Sequence, residues 1–497
     1  MKSTIKILFL AVFGFAISTA AQESSAELAS KIEAMAKVGA CYSPSVSPDG
    51  SELVFVSNMS GIPQLWKMSS SGGWPVQITN FNDPVSGANW SPTGNQIAFQ
   101  LSPGGGMNSQ IYIINSDGTG LAQVSSGGKT NNWFSSWSPD GKLFSYSSNK
   151  DNLNGMDSYI FNLTDKKDQL HVKNQGIGQI SDIGKNNDQF LLSRLASRGS
   201  NDVYLVDKDL NETILTAHKG PGSFYGEFAP NGDIYMASNL DRDKIAFGKF
   251  EEDRIKILSE REDSELQRFV INHAGTLALL TWNVAGRNEM SVFDMQSQKV
   301  TGDLKLPVEL IGGVEFSSDD EYIVFTGYGS QEPTNIWRYD FQDKKFSKLT
   351  ESPHPGVVLE DLVAPKLVQF KSFDGLELSG WLYEPKTGQK PYPTVISYHG
   401  GPEGQSRPYF SYTFQALLSQ GIAVFSPNVR GSSGFGKEFV NLDNGALRVN
   451  GVKDIEACYN YIVDSGFAHK DKVGIMGGSY GGYMVMAGIT EYPDMFA

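Results

Sequence analysis

Residues 473–482 read VGIMGGSYGG: an apolar run from Val473 to Met476 enters glycines that bracket a single serine, Ser479. A serine on a sharp turn between a buried strand and a helix is the arrangement of a nucleophile. Glycines let the backbone reverse with little bulk around the hydroxyl, and the N–H groups and positive dipole end of the following helix face the negative charge that develops during attack. Glycine makes up 53 of the 497 residues, so the bare Gly-x-Ser-x-Gly spacing says little; its place between an apolar strand and a helix carries the reading. Such a serine needs a base to take its proton and a carboxylate to orient that base. A second glycine-rich stretch, His399-Gly400-Gly401-Pro402, follows the apolar run PTVISY 393–398 and suits a loop that donates N–H groups to an oxyanion. His399 belongs to that loop rather than to the base, which in this arrangement follows the nucleophile in the chain. All six histidines (171, 218, 273, 354, 399 and 469) precede Ser479, and the 18 residues after it hold Glu491 and Asp494 but no histidine.

Strands alternating with helices must position these residues. VQFKSFDGLELSGWLYEP, 368–385, reads as a hairpin with an Asp374-Gly375 turn, followed by strands at 393–401, 422–431 and 472–477 and helices at 408–421, 452–466 and 480–490. That alternation predicts the parallel sheet of an α/β domain, and the placement of the serine and HGGP stretches in it makes the domain an α/β-hydrolase.

A different rhythm precedes it. Ser47-Pro48-Asp49-Gly50 recurs as Ser91-Pro92-Thr93-Gly94 and Ser138-Pro139-Asp140-Gly141. Looser copies start at Ala229, Asn272 and Ser317, and Ile183-Gly184-Lys185-Asn186 fills the remaining place. The spacings run from 43 to 47 residues, and seven units at this period predict a seven-bladed β-propeller. Proline fixes the first central turn position and Asp and Gly suit the reversal, while alternating runs such as SELVFVS 51–57 and QLWKMSS 64–70 supply strands. The acidic stretch Phe250-Glu251-Glu252-Asp253 is read as a solvated hairpin tip in preference to a clamp for a substrate's amino terminus.

Composition bounds the rest. With 40% hydrophobic and 19% charged residues the chain is globular, and a net charge of −14 argues against nucleic acid, whose phosphates call for clustered Lys and Arg. Lys2, Lys6, the apolar run Ile7–Ile17 and the small residues Ser18–Ala21 form a secretory signal, too short for a stable membrane anchor. Cys41 and Cys458 lie far apart, so neither a disulfide nor a metal site is expected. The predicted organisation is a signal peptide (1–21), a linker (22–39), a propeller (40–355) and a partial α/β-hydrolase domain (356–497), with no cofactor and an exported, periplasmic or secreted location.

FKSFDGLELSGWLYEP, YHGGP, NVRGSSGFGKEF and GIMGGSYGGYM, in this order behind a propeller, resemble the prolyl oligopeptidase family of serine peptidases, closest to its acylaminoacyl-peptidase and dipeptidyl-peptidase-like branch. The resemblance implies that Ser479 is the nucleophile and that the Tyr480 N–H, with a Gly400 or Gly401 N–H, forms the oxyanion hole. It implies short peptides as substrates, and a structural or approach-lining role for the Arg430–Gly434 loop. It places the acid and then the histidine downstream of Ser479, so the chain is read as a fragment, weakly active or inactive by itself. Two alternatives stay open: a propeller-based binding protein with a vestigial hydrolase domain, and an esterase using the same serine. The oligomeric state is not indicated.

Overall fold

The computed structural model describes residues 27–497; the expected signal segment and the start of the expected linker lie outside the described residues. Residues 27–36 of the linker stretch are helical. Seven four-stranded antiparallel sheets follow, each formed from one continuous stretch of chain. The first runs Cys41–Val46, Glu52–Ser57, Gln64–Ser69 and Val76–Gln77, and the last Leu310–Phe316, Tyr322–Tyr328, Asn335–Asp340 and Lys345–Lys348.

Each repeated turn joins the first strand of a blade to its second. In the Ser138 copy, Ser138 N–H donates to Leu143 O at 2.9 Å and Gly141 N–H to Ser138 O at 2.8 Å. The fourth residue is left-handed at six of the seven turns: Gly50, Gly141, Asn187, Gly232, Gly275 and Asp320, with φ between 59° and 90°. That explains the loose copies, because Asn and Asp are the residues after Gly that enter this region most readily. It also corrects the 183–186 reading by one position. Gly184 N–H donates to Gln189 O and Asn187 N–H to Gly184 O, so the turn is Gly184–Asn187.

The second strands depart from simple alternation. ELVFVS and LFSYSS are buried along nearly their whole length, because each blade is covered on both faces by its neighbours. The ring closes between the first and seventh blades. Val46 N–H donates to Glu315 Oε1 at 3.0 Å, Tyr322 Oη to Gly50 O at 2.5 Å and Arg338 Nη1 to Ser70 O at 3.1 Å.

The remaining residues form a five-stranded sheet. In spatial order its strands are Lys366–Lys371, Glu377–Tyr383, Ala423–Asn428, Tyr392–Tyr398 and Ala468–Gly477. The first two form the predicted hairpin, and the last three are parallel. Helix Tyr412–Ser419 is shorter than the expected 408–421, since Ser411 caps it by accepting the Phe414 N–H. Helices Arg448–Asp464 and Tyr480–Glu491 cover the sheet, and Ile455, Ile462 and Met484 pack on Ile396, Phe425 and Val473. Among the described residues the Ala468–Gly477 strand pairs with Tyr392–Tyr398 alone, and Ala497 N–H reaches its Val473 O at 2.9 Å.

Candidate active site

Ser479 stands between the Ala468–Gly477 strand and the Tyr480–Glu491 helix, exposed, with φ 55° and ψ −118°. A positive φ is costly for a residue with a side chain and persists only where the surroundings impose it. Here they do. A Cβ on Gly481 would lie 2.2 Å from Tyr398 O, and one on Gly477 would lie 2.5 Å from the Gly481 carbonyl carbon, so the reversal closes only with glycine at both positions.

Gly400 lies against this turn. A Cβ built on it would be 3.4 Å from Ser479 Cβ and 3.2 Å from Gly478 O. The two sequence-predicted stretches therefore meet at one point.

The histidines go elsewhere. His399 Nε2 lies 2.9 Å from Ser432 Oγ, whose own proton goes to Val429 O at 2.6 Å, so the ring donates there. Burial pulls its pKa below the usual histidine range, against the opposing effect of Gly400 O, 3.2 Å from Nδ1. His171 packs edge-on to Phe190, His218 contacts Thr216 O, His273 pairs with Asp320, His354 contacts Ser352 O and His469 accepts the Asp471 N–H. Among the described residues Ser479 Oγ has no hydrogen-bond partner.

One neighbour of the serine turn carries no motif signal. Asp443, fully buried, accepts from Tyr480 Oη at 2.9 Å and pairs with Arg448 Nη1 at 2.8 Å, so the side chain next to the serine is tethered to the 443–448 segment. Burial pushes the Asp443 carboxyl up, and only this spatial meeting marks it. Arg430 proves structural: it grips fully buried Asp454 through Nε and Nη2 at 2.9 Å and Asp374 through Nη1 at 2.9 Å. The acidic stretch at 250–253 is a hairpin tip, with Glu252 and Asp253 both left-handed.

The propeller holds both loops beside the serine. Arg198 Nε donates to Glu403 Oε2 at 2.9 Å, Asn283 Nδ2 to Gln405 Oε1 at 2.8 Å, and Arg407 Nε to Gly286 O at 2.9 Å. Glu438 N–H donates to Asp243 Oδ1 at 2.8 Å. Between the two domains lies a cavity of about 290 Å³, walled by Glu265 and Asn239 on one side and Glu403, Ser433 and Gly434 on the other.

Comparison with known proteins agrees with this geometry. The sequence model of the prolyl oligopeptidase family matches residues 408–497. Dipeptidyl aminopeptidase BIII of Pseudoxanthomonas mexicana is 26% identical over 486 residues, covering 91% of this chain and 68% of that protein. An uncharacterized peptidase of Bacillus subtilis is 25% identical, covering 89% of this chain and 69% of its own length. Among solved structures, a prolyl endopeptidase superposes with a TM-score of 0.82 at 17% identity, over 95% of this chain and 73% of its own. Puromycin hydrolase superposes with a TM-score of 0.78 at 16% identity, over 94% and 78%. A seven-bladed propeller thus leads into an α/β-hydrolase segment whose residues 408–497 match the sequence model of the prolyl oligopeptidase family, and the whole chain shares the fold of solved members of that family.

Proposed function

We propose that Ser479 attacks the scissile carbonyl of short peptides and forms an acyl-enzyme, in an exported protein. The Tyr480 N–H and a Gly400 or Gly401 N–H receive the oxyanion. The observation that carries this reading is the left-handed Ser479 on a glycine-locked turn, with Gly400 packed against it. Tetrahedral collapse needs donors fixed before the charge appears, and a turn that cannot relax provides them. Asp443 serves this as a positioning residue, since its bond to the Tyr480 hydroxyl fixes the residue whose N–H donates. Attack through Ser479 requires a histidine base and a carboxylate to orient it, and none of the six histidines of this chain makes a hydrogen bond to the serine. A triad serine without its base loses about 10⁴–10⁶ in rate.

Fluorophosphonate labelling and turnover of short peptides test this on the 497-residue chain and on any longer form read from the same frame. The longer form should label and turn over, and Ser479→Ala should abolish both; the short chain should do neither at a measurable rate. Strong labelling and turnover by the short chain, lost in Ser479→Ala, would put the base among these residues and overturn the reading. Recovery of a periplasmic or secreted form beginning near Ala21 or Gln22 tests export.

A further inference from the structure

Arg198 sits at the tip of the hairpin between Gln189–Ser197 and Ser200–Asp207, on the propeller edge that faces the hydrolase segment. Its side chain is 68% exposed, whereas its partner Glu403 is 21% exposed. The single contact, Nε to Glu403 Oε2 at 2.9 Å, fixes the orientation of the guanidinium plane. Nη1 and Nη2 donate to no group among the described residues. A Cβ on Gly401 would lie 3.7 Å from Nη2, so this unused edge stands beside the loop that flanks Ser479. Guanidinium carries five N–H donors in a planar fork, and Glu403 takes one of them.

We propose that Arg198 is a specificity-determining residue contributed by the propeller, whose free guanidinium edge takes a carboxylate of the peptide bound at Ser479. That carboxylate is an acidic side chain or a free C-terminus, and the inference rests on Ser479 being the reacting residue. The planar edge matches the two oxygens of a carboxylate. A doubly charged phosphate fits less well, since Glu403 repels it from the same side. A purely structural clasp between the domains would leave the free edge without purpose and would treat both partners alike.

That difference gives the test. Three peptides of equal length are compared: neutral with an amidated end, the same with one Glu and an amidated end, and neutral with a free C-terminal carboxylate. Binding to the 497-residue chain is read by fluorescence anisotropy, and kcat/KM is read with the longer form. One of the two anionic peptides, or both, should be favoured about fivefold over the neutral one, and the preference should shrink in high salt. Arg198→Ala should remove the preference between the anionic and neutral peptides, while Glu403→Gln, which releases the competing carboxylate, should enlarge it. The two anionic peptides distinguish the two sources of charge. Equal behaviour of all three peptides in both measurements, survival of the preference in Arg198→Ala, or parallel losses in both variants would overturn the proposal. Turnover that persists in Ser479→Ala while the Arg198-dependent preference remains would sink the Ser479 reading instead.

Discussion

At the scale of single residues, the site is built from exclusions as much as from contacts. Two of the glycines around Ser479 are sterically compelled and two are not. A Cβ on Gly481 has 2.2 Å of room before Tyr398 O, whereas one on Gly482 has 3.7 Å before Gly477 O and stands in a regular helix. Gly481→Ala should therefore cost at least about 2 kcal/mol through forced backbone movement and should abolish Ser479-dependent labelling of the longer form. Gly482→Ala should gain about 0.5–1 kcal/mol, because alanine loses less entropy on entering a helix. Urea unfolding of both variants reads the difference, and equal costs would show that the turn relaxes freely. The Gly-x-Ser-x-Gly spacing is visible in the sequence for this reason: sterics restrict both flanking positions to one residue type. Asp443 has no such signature. A buried carboxylate meeting Tyr480 across 37 residues is set by tertiary packing, and its local sequence is an ordinary polar loop.

At the scale of elements, the repeat was legible because each turn solves the same local problem. Ser138 Oγ donates to Asp140 Oδ1 at 2.7 Å and accepts the Leu143 N–H at 2.9 Å, so one hydroxyl closes the turn and starts the second strand. Ser47 and Ser317 do the same with Asp49 and Asp319. Ser91 makes no such bond, since its tetrad carries Thr93 in place of the aspartate. Ser138→Ala should consequently destabilise the propeller by about 1–2 kcal/mol and Ser91→Ala by a few tenths, measured as urea midpoints. A cost at Ser91 matching that at Ser138 would mean that burial of the hydroxyl, and not the turn bond, sets the value. The fourth blade was misread by one residue because its turn lacks proline and aspartate, leaving only Asn187 to mark the left-handed position. The helix at 412–419 was overextended because the apolar run before Ser411 satisfies the helical period, and only the cap shows where the helix starts. The loops that join the two domains were not legible at all. Arg198, Asn283 and Asp243 find Glu403, Gln405 and Glu438 across 122 or more residues, and no local pattern encodes such a meeting.

At the scale of the whole molecule, three of the blade-to-blade junctions are stitched by the residue two places before a turn. Ser45 Oγ accepts the Trp90 N–H at 3.0 Å, Asp182 Oδ2 the Phe228 N–H at 2.7 Å and Glu315 Oε1 the Val46 N–H at 3.0 Å, each from one blade to the next. Two of these groups are carboxyls with little counter-charge. Burial raises Asp182 to about 7, Glu227 repels it further, and burial likewise raises Glu315 to about 7. Arg268 is the cation that faces Glu227 and Glu315. In the unfolded chain an aspartate ionises near pH 4, while in the propeller Asp182 stays protonated up to about 7. Its contribution is therefore complete below the unfolded value and is lost as pH rises through the folded one. A shift of this size corresponds to about 4 kcal/mol if the carboxyl were dry; it lines a cavity of about 570 Å³ and is partly exposed, so about 2 kcal/mol is the expected effect. Wild type should lose that amount relative to Asp182→Asn between pH 4.5 and pH 8, read from urea unfolding of the propeller. The amide keeps an acceptor for Phe228 but cannot titrate, so the change of the gap with pH carries the test, and the baseline difference between the two proteins does not enter. A gap constant across that range would show that water in this cavity solvates the carboxylate fully. A gap of opposite sign would show that Asp182 is ionised in the native ring and held there by the N–H groups of Ile183 and Phe228, which would make the stitching electrostatic.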